Sequence, residues 1–195
     1  RMAGRNAIVK KLASVETLGC TTVICSDKPG TLTLNQMTAR ALIFGGRQYA
    51  VSGEGYSGDG RISAPDGFAL PELSAVLRPA ALCADARIVD GQLIGDPTEG
   101  ALLALAIRGG VDPGQLMAAF PRIAEIPFDS DNKFMATFHR EDDQVRMWVK
   151  GAPDVLLARA TRVQADTGEA PLDAATRDAL RAANETLAGQ ALRVL

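Results

Sequence analysis

The 195-residue sequence has little of the chemistry that builds redox or metal centres, with three cysteines, one histidine and one tryptophan. Cys20, Cys25 and Cys83 are odd in number and show no CxxC spacing, which favours reduced, partly buried thiols over a disulfide framework or a zinc site. His139 has no serine, cysteine or second metal ligand at a suitable spacing. We therefore interpret it as an exposed residue, or one whose hydrogen bonds the fold satisfies, rather than as a catalytic one.

Long apolar runs and an excess of one charge are also missing. The longest apolar run, residues 101–107, has seven residues, whereas a membrane-spanning helix needs about 18 or more. The basic start is followed by no apolar segment of the kind found in secretory signals. Lys and Arg total 21 against 23 Asp and Glu, which is too balanced for a nucleic-acid surface. We expect no nucleic-acid partner and no membrane-inserted segment in this chain.

The composition that is present, 47% hydrophobic and 23% charged, is typical of a folded globular chain. Near the start, apolar residues at helical spacing predict an amphipathic helix over residues 5–17, ended by Gly19. The β-branched run over residues 21–25 then predicts a buried parallel strand that places Asp27 at its carboxyl end.

From residue 38 onward the pattern changes to alternating strands, turns and short helices. Hairpins are predicted over residues 38–62, a helix over 73–84 that bends at Pro79, and two short strands around the Asp90-Gly91 turn. Further predicted strands lie at residues 122–128, 134–139 and 144–150, with helices at 152–160 and 172–187 and a strand-like run at 191–195. The fold class is thus α/β, of the α+β type, with a mainly antiparallel sheet flanked by helices.

A helix start is predicted at Asp96. Asp96 serves as the N-cap, Pro97 occupies the first helical position, and Glu99 stands three residues after the cap, which is the capping-box pattern. Asp112 and Pro113 form the same pattern of capping aspartate and following proline, which predicts the start of a shorter helix that ends near Phe120.

The residues most suggestive of chemistry surround Asp27, where the predicted strand enters a Lys-Pro-Gly-Thr turn. A carboxylate at this point can act as the nucleophile on a phosphoryl group, while Lys28, Thr31 and the turn amides offset the anionic charge. An ordinary strand-to-loop turn with a capping aspartate explains the same residues. Spacing alone leaves both interpretations open.

The segment VICSDKPGTLTLNQM resembles the phosphorylation signature of P-type cation-transporting ATPases, whose usual form is DKTGTLT. Five further segments resemble the same family and occur in the family's order: RNAIVKKLASVETLG before this signature, and GDPTEGALL, FDSDNKFM, KGAPDVLL and ALRVL after it. The resemblance is to the type II branch, which includes calcium and sodium/potassium pumps. It implies that residues 1–36 are part of a phosphorylation domain, a stub of a haloacid-dehalogenase-like fold, and that residues 37–195 are the nucleotide-binding domain.

This resemblance also implies roles for individual residues. Asp27 accepts the γ-phosphate of ATP, assisted by Lys28 and Thr31, and Mg²⁺ is held by Asp27 and the carbonyl of Pro29. The implied nucleotide contacts are Glu99, Phe128, Lys133, Lys150 and Arg193. Each has a structural alternative: helix capping for Glu99, core packing for Phe128, and an ordinary solvated position for the lysines and the arginine.

Pro29 departs from the signature, which has threonine there. Proline keeps the backbone carbonyl but lacks the hydroxyl and the N–H. We hypothesise that Pro29 marks an impaired phosphorylation loop.

The implied partners are ATP and the remaining phosphorylation, actuator and transmembrane domains of a pump at the cytoplasmic face of a membrane, with this chain binding nucleotide without turnover. A haloacid-dehalogenase-type phosphatase is an alternative, but its second aspartate, the general acid, is replaced by Pro29. A catalytically dead nucleotide-binding or interaction module is the other.

Overall fold

The computed structural model describes residues 12–28, 30–165 and 168–195. Pro29 and most of the helix predicted over residues 5–17 lie outside the described residues. The chain divides into two compact units, residues 1–36 and residues 37–195.

The first unit contains helix α1, Leu12–Gly19, and α1 ends at Gly19 as predicted. The predicted strand over residues 21–25 is wrong, because these residues have no regular structure and Val23 and Ile24 are 74% and 87% exposed. A strand needs hydrogen-bonding neighbours and an apolar surface to cover it, and the described part of this unit provides neither. The haloacid-dehalogenase-like stub stays a prediction.

The second unit mixes short helices with antiparallel strands. Its described strands are β1 Ala41–Phe44, β2 Arg47–Val51, β3 Ile62–Ser63, β4 Arg87–Val89, β5 Gln92–Ile94, β6 Arg122–Asp129, β7 Phe134–Glu141, β8 Gln144–Gly151, β9 Arg162–Ala165 and β10 Gly168–Pro171. Its described helices are α2 Ser74–Leu82, α3 Pro97–Arg108, α4 Pro113–Ala119, α5 Pro153–Arg159 and α6 Ala174–Gly189.

All strand pairs of the second unit given by the structure are antiparallel, which confirms the predicted α+β class. Two three-stranded sheets have the orders β1-β2-β3 and β6-β7-β8, and β4-β5 and β9-β10 are separate hairpins. The β4-β5 turn is the predicted one, and Asp90 and Gly91 both have positive φ, 50° and 75°. That backbone matches the twist of the flanking strands. The β9-β10 hairpin was not predicted.

The core lies where α2 and α3 pack together and against the first sheet. Tyr49 and Val51 alternate with exposed neighbours along β2, so one face of the strand is buried. The apolar cluster on this face comprises Leu42, Tyr49, Val51, Ile62, Leu73, Leu77 and Leu105. A second cluster of small residues between the helices comprises Ala81, Ala84, Ala86, Leu103 and Ala106. These alanines let the end of α2 approach α3 closely.

The predicted strand over residues 191–195 is also wrong. After α6 the amide of Leu192 donates to the carbonyl of Leu187 at 3.3 Å, and that of Ala191 to Ala188 at 2.9 Å. Ala191 has a φ of 59°. This pair of bonds around a left-handed residue is the Schellman helix ending, with alanine where glycine is usual. The chain therefore turns sharply after α6 instead of extending.

Within the described residues, no helix has the length and apolar character that crossing a bilayer requires.

Candidate functional site

The start of α3 positions the first group of predicted site residues. Asp96 caps the helix as predicted, because its Oδ1 accepts hydrogen bonds from the amides of Thr98 at 2.8 Å and Glu99 at 3.2 Å. The capping-box prediction for Glu99 is wrong, since its carboxylate does not return to the cap. Oε2 accepts from the amides of Asp85 and Ala86, both at 2.8 Å. Glu99 thus joins α3 to the segment that follows α2.

The other oxygen of Glu99 forms an ion pair with Lys150. Lys150 lies near the end of β8, just before α5, and its Nζ also donates to the carbonyl of Cys83 at 2.5 Å. The two side chains are only 14% and 11% exposed, so the structural alternative for Lys150, an ordinary solvated lysine, is wrong. A buried ammonium needs such partners because desolvation penalises an isolated charge.

The turn between β6 and β7 presents Phe128 and Lys133. Asp129 organises the turn, since its Oδ1 accepts from two following amides and its carbonyl accepts from the amide of Lys133 at 2.7 Å. Phe128 is 61% exposed, which rules out core packing for this ring. Lys133 is exposed, and its carbonyl accepts from the amide of Ala152 at 2.9 Å. This bond ties the turn to the end of β8.

The sharp turn after α6 brings Arg193 to the start of α3. Its Nη1 donates to Thr98 Oγ1 at 2.9 Å, and that hydroxyl lies 3.4 Å from the sulfur of Met37. Arg193 itself is exposed. Its bond to Thr98 places the guanidinium at the first turn of α3, one residue before Glu99 in the sequence.

The five residues predicted to contact nucleotide therefore occupy one region of the second unit. Arg193 reaches Thr98, whose neighbour Glu99 binds Lys150. Phe128 and Lys133 lie at the same end of the β6-β7-β8 sheet as Lys150, since Met135 pairs with Lys150 and Phe134 with Gly151. An exposed ring, two exposed cations and a fixed ion pair can together accept an aromatic base and phosphates. Their role in nucleotide binding stays a prediction.

The other predicted residues lie in the first unit. Asp27 is exposed, and its Oδ1 accepts from the amide of Lys28 at 2.8 Å. The carbonyl of Lys28 accepts from the amides of Leu32 and Thr33, so the segment is a compact turn that includes the exposed Thr31. The Asp27 carboxylate is thus accessible to solvent and the next residue is a lysine; their role in phosphoryl transfer stays a prediction.

Mg²⁺ fits this donor set only in part. The ion usually takes one or two carboxylates and completes its shell with phosphate oxygens and water, and Asp27 is a carboxylate of that kind. No group of three His, Cys, Asp or Glu residues that could hold a metal occurs in the described ranges. The Pro29 carbonyl, the second predicted ligand, lies outside them.

The network of hydrogen bonds around Arg122 was not predicted from the sequence. Arg122 Nη2 donates to the carbonyls of Leu82 at 3.3 Å and Ala84 at 2.5 Å. Its Nη1 donates to the carboxylates of Asp85 at 2.6 Å and Glu125 at 2.7 Å. The acceptors on the α2 side are mostly backbone groups, so the sequence carries no motif that would reveal them.

Two further residues complete the network. The buried His139 donates from Nδ1 to the carbonyl of Phe120 at 2.8 Å, and its Nε2 lies 3.0 Å from Thr137 Oγ1. Its hydrogen bonds are satisfied, as predicted. Cys83 is buried and its Sγ contacts the carbonyl of Met135 at 3.5 Å, and burial raises the pKa of this thiol. Cys83 therefore behaves as a small core residue.

Comparison with known proteins shows what the chain is similar to. Residues 72–195 match the family model described as P-type ATPase, cytoplasmic domain N. The whole chain is 42% identical to the cation-transporting ATPase pma1 of Synechocystis, covering 23% of that protein. It is 39% identical to the calcium-transporting ATPase lmo0841 of Listeria monocytogenes and to the human calcium-transporting ATPase type 2C member 1, covering 21% and 22% of them. The chain thus spans about a fifth of the length of these relatives.

Proposed function

We propose that this chain, a member of the P-type cation-transporting ATPases, binds ATP through residues 37–195. Its membership of that family is shown by the match of residues 72–195 to the family's cytoplasmic domain N. Phe128 stacks on the adenine ring, Lys133 and Arg193 attract the phosphates, and the Glu99–Lys150 pair forms the polar wall of the site.

The observation that supports this proposal most strongly is the exposure of Phe128. A phenylalanine at the end of a strand, 61% exposed, gains nothing from the core of its own chain. A base stacked on such a ring contributes about 1–3 kcal/mol. Lys133 lies exposed at the end of the same turn. The region thus combines an open aromatic face with a cation, as a nucleotide needs.

A fluorescence titration with ATP tests the proposal. Trp148 on β8 pairs with Thr137 and lies two residues before Lys150, so it shares that residue's face. We expect saturable quenching with a Kd on the order of millimolar or tighter, because few exposed contacts must offset the entropy of association. Phe128→Ala should raise the Kd about tenfold through the lost stacking, and Lys133→Ala should also raise it.

Phe68→Ala is the matched control, since Phe68 is a 54% exposed ring packed on Arg47 outside the proposed site. It should leave the Kd unchanged. Calorimetry on the same samples covers the case in which Trp148 does not sense the ligand. Absence of heat and of quenching, or equal effects of Phe128→Ala and Phe68→Ala, would contradict ATP binding at this site.

In the complete pump, we propose that the Asp27 carboxylate takes the γ-phosphoryl group of ATP, that ADP leaves, and that this step drives cation transport. Mg²⁺, held in part by Asp27, would offset the charge of the phosphates. The names of the relatives point to calcium among the candidate cations. The other domains of the pump, namely the rest of the phosphorylation domain, the actuator and the membrane helices, are its partners. The alternative is a nucleotide-binding module that does not transfer phosphate. The presence of proline at position 29, where the family signature has threonine, supports this alternative. Acid-stable phosphoenzyme in the full-length protein distinguishes the two.

Pro29 provides a prediction about that step. Restoring threonine adds a hydroxyl and an amide that can bond the phosphoryl group, and one hydrogen bond to a charged group contributes roughly 1.5–3 kcal/mol. Pro29→Thr in the full-length protein should raise the initial rate of phosphoenzyme formation by about one to two orders of magnitude. Labelling with γ-³²P-ATP followed by acid quench measures this rate. Equal rates in the two proteins would show that the proline does not impair the loop.

A further inference from the structure

Residues 82–86, here called the exit segment, are the last residue of α2 and the four residues after it. They supply the backbone groups that hold the Glu99–Lys150 pair. The Cys83 carbonyl accepts from Lys150, and two amides at the end of the segment donate to Glu99. The position of the ion pair therefore depends on the path of the exit segment.

Arg122 binds this segment from β6 through atoms that neither Glu99 nor Lys150 contacts. Its Nη2 contacts the carbonyls of Leu82 and Ala84, and its Nη1 contacts the carboxylate of Asp85. The guanidinium is planar and presents its donors in a fixed fork. One side chain thus fixes the carbonyls that flank Cys83, whose own carbonyl holds Lys150.

The most direct connection runs through a single peptide unit. The carbonyl of Ala84 and the amide of Asp85 belong to the same planar group, and no cis peptide occurs in the described residues. Arg122 donates to the oxygen of this unit, and Glu99 accepts from its N–H. A donor at one end of a peptide polarises it and strengthens the bond at the other. Arg122 thereby fixes both the direction and the strength of the bond that orients Glu99.

A cleft of about 280 Å³ opens beside the exit segment, with Asp85, Arg122 and His139 in its wall. These three side chains are already bonded: Arg122 to the Asp85 carboxylate, and His139 to the Thr137 hydroxyl and the Phe120 carbonyl. A ligand would have to displace these bonds. The arrangement therefore points to an internal role for Arg122.

We propose that Arg122 is a positioning residue for the nucleotide site, acting through the Ala84–Asp85 peptide on Glu99 and, through it, on Lys150. The inference rests on the proposed binding of ATP by residues 37–195. Arg122 itself does not touch the nucleotide. Its loss lets the exit segment move, so that the ion pair no longer has one fixed position against the ligand.

Calorimetric titration of the 195-residue chain with ATP tests this role. Arg122→Gln should raise the Kd about tenfold, within the range by which residues remote from a ligand change affinity. Arg122→Lys, which keeps the charge but not the fork, should fall between wild type and Arg122→Gln. Arg162→Gln is the matched control, since Arg162 pairs with Glu169 in the β9-β10 hairpin at the surface, and it should leave the Kd unchanged.

Double variants test the proposed route. If Arg122 acts through Glu99, adding Arg122→Gln to Glu99→Gln should cause little further loss, whereas adding it to Lys133→Ala should multiply the two effects. The amide proton resonance of Asp85 should move upfield in Arg122→Gln, as its bond to Glu99 weakens, while thermal unfolding stays cooperative.

The outcomes separate this inference from the proposed function. A wild-type chain that does not bind ATP overturns both. Wild-type binding that Lys133→Ala weakens and Arg122→Gln leaves intact overturns the positioning role alone. Effects of Arg122→Gln and Glu99→Gln that multiply fully overturn the route through the peptide. If Arg122→Gln does not fold, Arg122→Lys supplies the same comparisons.

Discussion

Replacing Glu99 by glutamine is expected to lower the free energy of unfolding by about 3 kcal/mol, at the lower end of the range for breaking a buried ion pair. The Lys150 ammonium would then remain 14% exposed with a backbone carbonyl but no anion. The backbone amides of Asp85 and Ala86 would lose a charged acceptor, and bonds to charged groups are stronger than those to neutral ones. Urea denaturation monitored by Trp148 fluorescence measures the change.

The control for this experiment is Glu169→Gln, which breaks the exposed pair between Arg162 and Glu169 and should change stability by less than about 1 kcal/mol. The double variant Glu99→Gln/Lys150→Met removes both charges. It should be more stable than Glu99→Gln alone, because no uncompensated ion is left. Equal stabilities of Glu99→Gln and Glu169→Gln would show that the buried ion pair contributes no more to the free energy of unfolding than the exposed pair does.

Replacing Arg108 by methionine is expected to cost a similar amount, again about 3 kcal/mol. Each bond to a charged donor contributes roughly 1.5–3 kcal/mol, and the loss of several is offset in part because the buried charge no longer has to be desolvated. Arg108 is only 7% exposed, at the end of α3. Its guanidinium donates to the carbonyls of Glu54, Gly55, Ser57 and Asp59 at 2.9 to 3.3 Å. These bonds hold together the glycine-rich loop between β2 and β3.

The backbone of this loop allows the side chain of Arg108 to approach closely. Gly53 has a φ of 92°, and a Cβ there would lie 2.2 Å from the carbonyl of Asp59 and 2.9 Å from Nε of Arg108. Only glycine permits both the backbone angle and the close approach. Burial, together with the charge of Arg40, lowers the pKa of Arg108 from its ordinary value, with Asp59 opposing. The carbonyls thus stabilise the guanidinium in place of a carboxylate.

Urea denaturation and amide hydrogen exchange over residues 53–60 measure the effect of Arg108→Met. Faster exchange in this loop should accompany the loss of global stability. Arg108→Lys should be intermediate, because an ammonium cannot reach four carbonyls from one position. A stability within about 0.5 kcal/mol of wild type, the usual range of surface substitutions, would show that water replaces the guanidinium without cost.

Local signals predicted much of the second unit. Asp96 and Asp112 cap α3 and α4 because short side-chain acceptors before a proline specify a helix start with few alternatives. The hairpin at Asp90 and Gly91 followed from its turn residues. The strand predicted over residues 21–25 failed because a buried strand depends on neighbours that lie elsewhere in a chain. The run over residues 191–195 failed for a different reason, since its apolar pattern does not reveal that Ala191 takes a left-handed backbone.

The residues of the site were likewise predictable where a motif marked them and not where their partners are distant in the sequence. Resemblance to a family pointed to Glu99, Lys150 and Arg193, and the structure pairs Glu99 with Lys150 and bonds Arg193 to Thr98. The capping pattern assigned Glu99 a bond to the helix start that the structure replaces with Lys150 and two amides, because i to i+3 spacing describes only local partners. The role proposed for Arg122 has no sequence signal at all, since its partners across the fold include main-chain carbonyls.

The exit segment has a consequence for how this site can vary among related proteins. Its carbonyls and amides belong to the main chain, so exchanging Ala84 or Ala86 for another small residue removes no donor or acceptor. The restriction is on volume: both alanines are buried, and a Cβ on Gly95 would lie 2.8 Å from the Cα of Ala86. Substitution of these two alanines is therefore limited by volume and burial and not by any hydrogen bond of their side chains. Related proteins can differ at these two positions and keep the same hydrogen bonds.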